Sequence, residues 1–305
     1  MSVISPSAKA PARPLIGVFW MLLTGVCFVA VTATVKLVGD VVPPAQAAFL
    51  RYVLGLAFLI PMIPAMRRTV LSARAYRLFG LRGVAHTVGV TCWFYAMTQI
   101  PIAEVTAMNY LNPVFVSLMA IVVLGEAMAA RRLMAVGVAL IGALVILRPG
   151  FRELSPGHLA MLVTAVSFAV GYLVAKIMAD EVPAAVVVFM LSVTVTIGLA
   201  PLALWQWVAV GWRELGLLFL TACFATAGHF TMTLAFSSAP LTVTQPVAFL
   251  QLVWATLLGV FVFAEPVDAF VILGGALIIG AVSYMTWREA RLRRGVRAAK
   301  GQTPG

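Results

Sequence analysis

The sequence predicts an all-α integral membrane protein with ten transmembrane helices, arranged as two five-helix repeats of opposite orientation. Three observations support this prediction: the composition, the lengths of the apolar runs and an internal repeat. Hydrophobic residues make up 63% of the 305 residues and charged residues only 10%, and the mean hydropathy is +1.06. A soluble fold cannot bury that much apolar surface, so the composition favours a chain that lies within a lipid bilayer.

Ten apolar runs have about the 20 residues that a helix needs to cross a hydrocarbon core roughly 30 Å thick. Prolines stand between many of these runs, as at Pro43-Pro44, Pro101 and Pro240, where they favour helix ends. The predicted spans are 15–38, 44–65, 75–99, 102–124, 131–148, 157–178, 183–207, 214–238, 241–263 and 267–287.

The formal net charge of +11 would suggest a nucleic-acid partner in a soluble protein. We predict none here, because the basic residues gather on one predicted side of the membrane, as they do in cytoplasmic loops. That side carries Lys9, Arg13, Arg67, Arg68, Arg74, Arg77, Arg82, Arg131, Arg132, Arg288, Arg291, Arg293, Arg294, Arg297 and Lys300. The other side carries Arg148, Arg152 and Arg213. Both termini are therefore predicted to be cytoplasmic.

The three cysteines lie inside apolar runs. Cys27, Cys92 and Cys223 show no CxxC spacing, so they are expected to pack as small apolar side chains rather than to form disulfides or bind metal. Neither a metal nor another cofactor is predicted.

An internal repeat relates the two halves of the chain. Phe28, Lys36 and Pro43 recur 140 residues later, and the later pairs Pro101/Pro240 and Glu126/Glu265 recur after 139 residues. Because each half holds five helices, an odd number, the second half must enter the membrane from the opposite side. In secondary transporters, such an inverted repeat places the substrate near the midplane, between the halves. The predicted domains are residues 1–148 and 149–288, followed by a basic cytoplasmic tail at 289–305.

The stretch FYAMTQIPIAEVTAMNYLNPVFVSLMAIVVLGE at 94–126, followed by RRLMAVGVALIGALVIL, resembles the signature of the EamA-type permeases of the drug/metabolite transporter superfamily. The shared features are the alanine before the break, the proline of the fourth helix and the glutamate that ends it. They appear here as Ala96 and Ala235, Pro113, and Glu126 and Glu265. One departure is Leu252, which stands in the second half where the first has Pro113.

This resemblance implies an inner-membrane transporter of a bacterium with a small-molecule substrate, and not an enzyme. Within the superfamily, the chain looks most like amino-acid exporters of the YddG type, so the expected activity is export of amino acids, including aromatic ones. A permease for a nucleotide sugar, a purine or a cationic drug is the alternative within transport. An integral-membrane enzyme is the alternative from another class, although no HExxH, GxSxG or paired-carboxylate motif is present.

Polar and aromatic side chains recur on single faces of several predicted helices, and together they suit a polar small molecule with an apolar body. The alternative is hydrogen bonding between helices, which contributes about 0.6 kcal/mol per contact on average. The candidate substrate-binding residues are Phe28, His86, Trp93, Met97, Thr106, Asn109, Asn112, Phe168, Tyr172, His229, Thr233, Gln245 and Gln251.

Two lysine–aspartate pairs with i, i+4 spacing are candidate gating groups. They are Lys36 with Asp40, which Arg51 could also reach, and their counterparts Lys176 with Asp180. The inverted repeat would place the first pair at the periplasmic face and the second at the cytoplasmic face. The alternative is a weak local ion pair between side chains that extend towards water. Glu126 and Glu265 are interpreted as scaffold groups at the starts of the next helices.

All ten acidic residues fall in predicted loops or at helix ends. Because proton-coupled transporters commonly use a carboxylate buried in the membrane, this pattern favours facilitated or exchange-type transport. A stripe of small residues, Ala135, Ala139 and Ala143, fits either packing within a monomer or the face of a homodimer.

Overall fold

The computed structural model describes residues 14–124, 130–151, 153–179, 181–239, 243–244, 247 and 250–300. Regular structure in these ranges is helical. Six helical segments are long and apolar enough to cross a membrane, and two shorter apolar helices accompany them. The predicted class, an all-α integral membrane protein, is confirmed. The ten crossings and the cytoplasmic position of the termini stay predictions.

In the described residues of the first repeat there are seven α-helices. They are α1 (Pro14–Val38), α2 (Pro44–Gly55), α3 (Ile63–Arg68), α4 (Ala73–Gln99), α5 (Ile102–Asn109), α6 (Asn112–Leu124) and α7 (Ala130–Leu147). A 3₁₀ segment, Leu56–Met62, joins α2 to α3 and contains Pro61. Since proline has no N–H to donate, it loosens the regular α-helical bonding in the second predicted span.

The second repeat contains α8 (Pro156–Ala179), α9 (Ala184–Trp205), α10 (Trp212–Ser238), α11 (Leu250–Phe263) and α12 (Ala269–Lys300). The last helix continues well past the predicted boundary at residue 288. The segment predicted as a basic tail is therefore helical as far as Lys300.

The fourth predicted span is two helices rather than one, because the chain breaks at Tyr110-Leu111 between α5 and α6. Pro113 follows the break, and its ring would clash with the carbonyl of the residue four positions earlier in a regular helix. The backbone instead makes tight turns, with Leu111 N donating to Met108 O at 3.0 Å and Val114 N to Leu111 O at 3.0 Å. The break leaves Asn109 and Asn112 on either side of an irregular backbone.

Helix packing follows the internal repeat. Helix α1 packs against α10, and α4 packs against α8. Since α8 is the repeat equivalent of α1 and α10 that of α4, these are two copies of one contact. Helices α2 and α9 pack together, as do α7 and α12, so equivalent helices meet at a pseudo-twofold axis.

The first helices of the two repeats run in opposite directions. Lys36, near the end of α1, donates to the carbonyl of Ile100 at 3.1 Å. Gly157, at the start of α8, also lies against Ile100, since a Cβ there would be 2.9 Å from its Cγ2 atom. The end of α1 and the start of α8 are therefore neighbours, which supports the inverted orientation.

The alanine stripe of α7 packs within the molecule. Ala135, Ala139 and Ala143 are all buried, and α7 lies against α12. Near this stripe the two helices approach very closely, because a Cβ on Gly142 would be 2.6 Å from the carbonyl oxygen of Gly274. Of the two alternatives left open by the sequence, the structure selects intramolecular packing for this stripe.

Candidate substrate-binding site

A cluster of aromatic rings and an imidazole occupies the middle of the molecule, where α2, α4 and α8 meet. His86 lies at the midpoint of α4, and its Nε2 atom is 2.9 Å from the hydroxyl of Tyr52. Its ring stacks on Phe168, with centroids 4.7 Å apart, and Trp93 meets the same phenylalanine edge-on at 6.0 Å. We call Tyr52, His86, Trp93 and Phe168 the central cluster.

Glycines on the facing helices allow two phenylalanine rings to pack closely. A Cβ on Gly89 would lie 2.7 Å from the Phe168 ring, and one on Gly228 would lie 3.4 Å from the Phe28 ring. Gly89 and Gly228 are equivalent positions of the repeat, as are the two phenylalanines. Phe28 also meets His229 edge-on at 5.2 Å. The fold therefore builds two related ring sites, each formed between the two halves of the chain.

Two guanidinium groups lie beside these rings. Arg51 lies over the Tyr52 ring at 4.3 Å, and Arg82 donates from Nη1 to the carbonyl of Val187 on α9 at 2.9 Å. Arg82 and His86 both lie against Gly171 of α8, since a Cβ there would be 3.9 Å from Arg82 Cγ and 3.8 Å from His86 Nδ1.

The contacts of these arginines bear on two expectations. Arg82 was expected among the basic residues of the cytoplasmic side, and this placement stays a prediction; its contact with Val187 lies near the start of α9. Arg51 was expected to reach Asp40 and instead lies against Tyr52.

Several buried polar atoms have no hydrogen-bond partner within the described residues. Four of them lie near the central cluster or the break in the fourth span: Nε of Arg82, Nε1 of Trp93 and the Oδ1 atoms of Asn109 and Asn112. Such an atom costs about 1–3 kcal/mol when it stays unpaired, so its persistence requires an explanation. Two donors and two acceptors, on α4 and around the break in the fourth span, are therefore left without a partner among the described residues.

The remaining candidate residues differ in burial. Met97 and Thr106 are buried in helix packing, as are Tyr52 and Phe168 of the central cluster, and their contact with a ligand stays a prediction. Tyr172, one turn after Phe168, keeps 51% of its surface exposed. Gln251 is half-buried against Gly25 of α1. Gln245 and Asp180, and the side chains of Thr233 and Lys176, lie outside the described part of the molecule.

Lys36 forms an ion pair with Glu265, which is a different partner from the expected Asp40. Asp40 accepts a hydrogen bond from the side-chain amide of Gln99 at 3.5 Å. The second carboxylate oxygen of Glu265 accepts from the backbone N–H of Ile102, the first residue of α5, at 2.9 Å. Glu265 therefore meets the positive end of a helix of the other repeat, and the expectation that it starts the next helix is wrong.

Two further ion pairs link the repeats at this same end of the molecule, which we call the Glu265 end. Glu104 of α5 pairs with His158 of α8, and both side chains are only 4% exposed. Arg148, just after α7, pairs with Asp268, just before α12. The sequence did not single out His158, and it placed Glu104 only among the acidic residues in loops or at helix ends.

A cavity of about 300 Å³ lies among these pairs. Its polar lining comes from Gln99, Glu104, Glu153, Ser155, His158, Thr256, Glu265 and Asp268. Ala96 and Met97, which stand on α4 between Trp93 of the central cluster and Gln99 of the cavity, are fully buried.

The duplicated helical fold, with polar and cationic groups at its centre and ion pairs across its repeats, defines a multi-pass membrane protein of the transporter class. The model of the EamA-like transporter family matches residues 15–148 and 155–287. The chain therefore belongs to the EamA-like transporter family, one match falling on each repeat. The predicted resemblance is confirmed, and the chain is a transporter rather than an enzyme.

Curated relatives support the same class. The chain is 27% identical to the S-adenosylmethionine uptake transporter of Rickettsia prowazekii, over 90% of this chain and 94% of the relative. It is 31% identical to the riboflavin transporter of Rhizobium johnstonii, over 94% and 96%. It is 29% identical to the pseudopaline exporter CntI of Pseudomonas aeruginosa, over 87% and 94%. These relatives are bacterial transporters of small metabolites.

A solved structure described only as the crystal structure of a protein has the same fold. The TM-score is 0.56 at 22% sequence identity, over 91% of this chain and 97% of the other.

Proposed function

We propose that this transporter carries a small metabolite with an aromatic ring and a carboxylate, and that its physiological role is export of amino acids, including aromatic ones, across a bacterial inner membrane. The observation that carries the proposal is the central cluster beside Arg51 and Arg82. The His86 and Phe168 rings and the Trp93 edge offer surfaces for a planar group.

Charge defines which end of the substrate these arginines recognise. A guanidinium group matches a carboxylate in shape and charge and binds it through two parallel hydrogen bonds. Because Nε of Arg82 has no hydrogen-bond partner among the described residues, one edge of its guanidinium group can make this contact. A purely cationic solute would meet two like charges, Arg51 and Arg82, so the site favours anionic or zwitterionic substrates.

The relatives differ in substrate and direction: one is named for uptake of S-adenosylmethionine, another for riboflavin and a third for export of pseudopaline. They support a small metabolite as the substrate and do not choose among such compounds. Amino-acid export is therefore our proposal from the site, and riboflavin is the alternative that the 31% identical relative favours.

We propose alternating access as the mechanism, with Lys36 and Glu265 as the gate of the Glu265 end. This pair joins α1 to the end of α11, and Glu265 also holds α5. Breaking it would release helices of both repeats together. By the repeat, Lys176 and Asp180 are proposed to act at the opposite end, and Asp40 to support the first gate through Gln99.

Counterflow in proteoliposomes tests the proposal. Vesicles loaded with unlabelled tryptophan should take up labelled tryptophan faster than protein-free vesicles, and His86→Ala should reduce this uptake at least tenfold. Riboflavin and S-adenosylmethionine are tested as substrates in the same counterflow assay. Exchange of riboflavin without exchange of any amino acid would replace the proposed substrate, and a lack of exchange for every solute would contradict the proposed function.

A further inference from the structure

We infer that α12 binds the headgroup of an anionic phospholipid through Arg288 and Arg291, at the end of the molecule opposite the Glu265 end. The inference goes beyond the proposed transport function and does not depend on the substrate. Helix α12 begins just after Asp268, which pairs with Arg148 at the Glu265 end. The last turns of this long helix therefore lie on the other side of the molecule.

The length of α12 places these arginines at a boundary of the hydrocarbon core. Its apolar part, Ala269–Arg288, has 20 residues, which measure about 30 Å at a rise of about 1.5 Å per residue and match a core roughly 30 Å thick. Tyr284 and Trp287 lie just before this boundary, both exposed, with ring centroids 6.2 Å apart. Tyrosine and tryptophan gather at membrane–water interfaces, so this pair marks the level at which α12 leaves the core.

The aromatic pair and the two arginines share one face of α12, because their spacing is i, i+3, i+4 and i+7. We call Tyr284, Trp287, Arg288 and Arg291 the interfacial stripe. Val282, on the opposite face of the helix, is buried, whereas both aromatic residues and Arg291 are exposed. The interfacial stripe therefore faces away from the helix bundle and towards the surrounding lipid.

Arg288 has no anionic partner among the described residues. Its Nη1 atom is buried without a hydrogen-bond partner, and the described ion pairs do not include it. A buried donor that stays unpaired is unfavourable, above all on a charged group. A phosphate oxygen at the boundary of the core would supply the missing acceptor.

Arg291 provides a second cation on the same face. Its guanidinium group lies over the Trp287 ring at 5.5 Å, a contact that orients the group and leaves its N–H edge available. Guanidinium groups bind phosphate through two parallel hydrogen bonds. A lipid phosphate at this level thus meets two guanidinium groups and, beneath them, two aromatic rings against which its glycerol and acyl chains can pack.

The rest of α12 favours a lipid with a net negative charge. The helix continues to Lys300, and Glu289 is the one acid after Arg288 in this segment, which also contains Arg293, Arg294 and Arg297. Clusters of four to eight basic residues beside a transmembrane helix attract anionic lipids.

Depth separates the direct contacts from the distant ones. The headgroup layer is only about 5–8 Å thick on each side of the core. Along the helix axis, Arg291 lies about 5 Å beyond Arg288, whereas Lys300 lies about 18 Å beyond it. Arg288 and Arg291 therefore reach the headgroups directly, and the distal residues contribute an attraction that salt screens.

Thermal unfolding of the full-length protein in detergent tests the inference, since a ligand that binds the folded state raises the melting temperature. Phosphatidylglycerol should give half of its maximal stabilisation at a concentration at least fivefold lower than phosphatidylcholine. Inorganic phosphate at the same concentrations should have no effect. Arg288→Gln/Arg291→Gln should raise the concentration of phosphatidylglycerol that is needed at least fivefold. Arg297→Gln/Lys300→Gln, the matched control, removes the same charge farther from the membrane and should raise it less than twofold.

Three outcomes would overturn the inference: equal stabilisation by phosphatidylglycerol and phosphatidylcholine, equal effects of the two double variants, or stabilisation by inorganic phosphate as strong as by the lipid. The last would assign the arginines to a free anion. If Arg288→Gln/Arg291→Gln fails to fold, the salt dependence of the wild-type protein decides. Raising the ionic strength from about 0.1 M to about 1 M, which shortens the Debye length from about 10 Å to about 3 Å, should weaken the effect of phosphatidylglycerol severalfold, and an unchanged effect would contradict the inference. These assays contain no transport substrate, so their result is separate from that of the counterflow assay.

Discussion

Two equivalent glycines, Gly89 and Gly228, determine how closely Phe168 and Phe28 approach the neighbouring helices. The approach is tighter at Gly89, where an added Cβ would overlap the Phe168 ring at 2.7 Å, than at Gly228, where the closest distance is 3.3 Å to Cys27. Because His86 stacks on Phe168, a shift of this ring would also move the imidazole.

The first prediction compares Gly89→Ala with Gly228→Ala. The first change should lower the rate of tryptophan counterflow at least fivefold, since Phe168 must move away from its position under His86. The second should lower it less than twofold, because ordinary side-chain adjustment absorbs the contact. Equal effects of the two changes on counterflow would contradict the assigned role of Phe168.

The second prediction concerns the charge of Arg82. Arg82→Gln should weaken binding of a carboxylate substrate by about tenfold or more, since a charge-assisted hydrogen bond contributes about 1.5–3 kcal/mol. Arg77→Gln, an exposed position on the same helix, is the control and should leave affinity unchanged. The concentration dependence of counterflow measures both. Loss of affinity in the control alone would exclude Arg82 from the substrate site.

At the scale of the elements, backbone contact between α7 and α12 fixes one side of the molecule. Gly142 and Gly274 face each other, and an added Cβ on either would lie within 2.6 Å of the other's carbonyl oxygen. Gly137, on the same helix α7, has open space around it. The close approach therefore depends on Gly142 and not on glycine content in general.

The third prediction follows from this contrast. Gly142→Ala should lower the melting temperature in detergent, because overpacking of a tight contact typically costs about 1–3 kcal/mol. Gly137→Ala should leave it unchanged or raise it, since alanine favours helix by about 1 kcal/mol over glycine. A melting temperature for Gly142→Ala equal to that of the wild type would contradict the close helix contact.

The fourth prediction concerns the closure of the Glu265 end by cross-repeat ion pairs. In a cysteine-free background with Val105→Cys, a buried position on α5, Lys36→Gln should raise thiol labelling severalfold, because α5 is held by Glu265 and Glu265 by Lys36. Asp40→Asn should raise it much less, since Asp40 contacts Gln99 instead. If Asp40→Asn raised thiol labelling more than Lys36→Gln, the local Lys36–Asp40 pair would be the gate instead.

On the scale of the whole molecule, the sequence predicted what depends on periodicity and missed what depends on distant contacts. The apolar runs and the repeat sufficed for the membrane class. Helical spacing placed His86 and Trp93 on one face, and the repeat pointed to Phe168. The partner of Lys36 could not be found this way, because Glu265 is 229 positions away while Asp40 offers a plausible neighbour at i+4.

Burial at helix ends was the second property that the sequence concealed. Glu104 lies in the first turn of α5, a place that usually faces water, and it becomes buried only because α8 of the other repeat packs there. Arg82 is a similar case, because its contact with Val187 requires α9 to pack against α4. Both positions depend on how the repeats meet, which local composition does not encode.

The central claim is that the cluster around His86 recognises an aromatic ring and a carboxylate together. The most direct measurement is competition in the counterflow assay between tryptophan and tryptamine, which shares the ring but lacks the carboxylate. Unlabelled tryptophan should compete at least tenfold more strongly than tryptamine in the wild-type protein, and the difference should shrink in Arg82→Gln. Equal or stronger competition by tryptamine would contradict the claim.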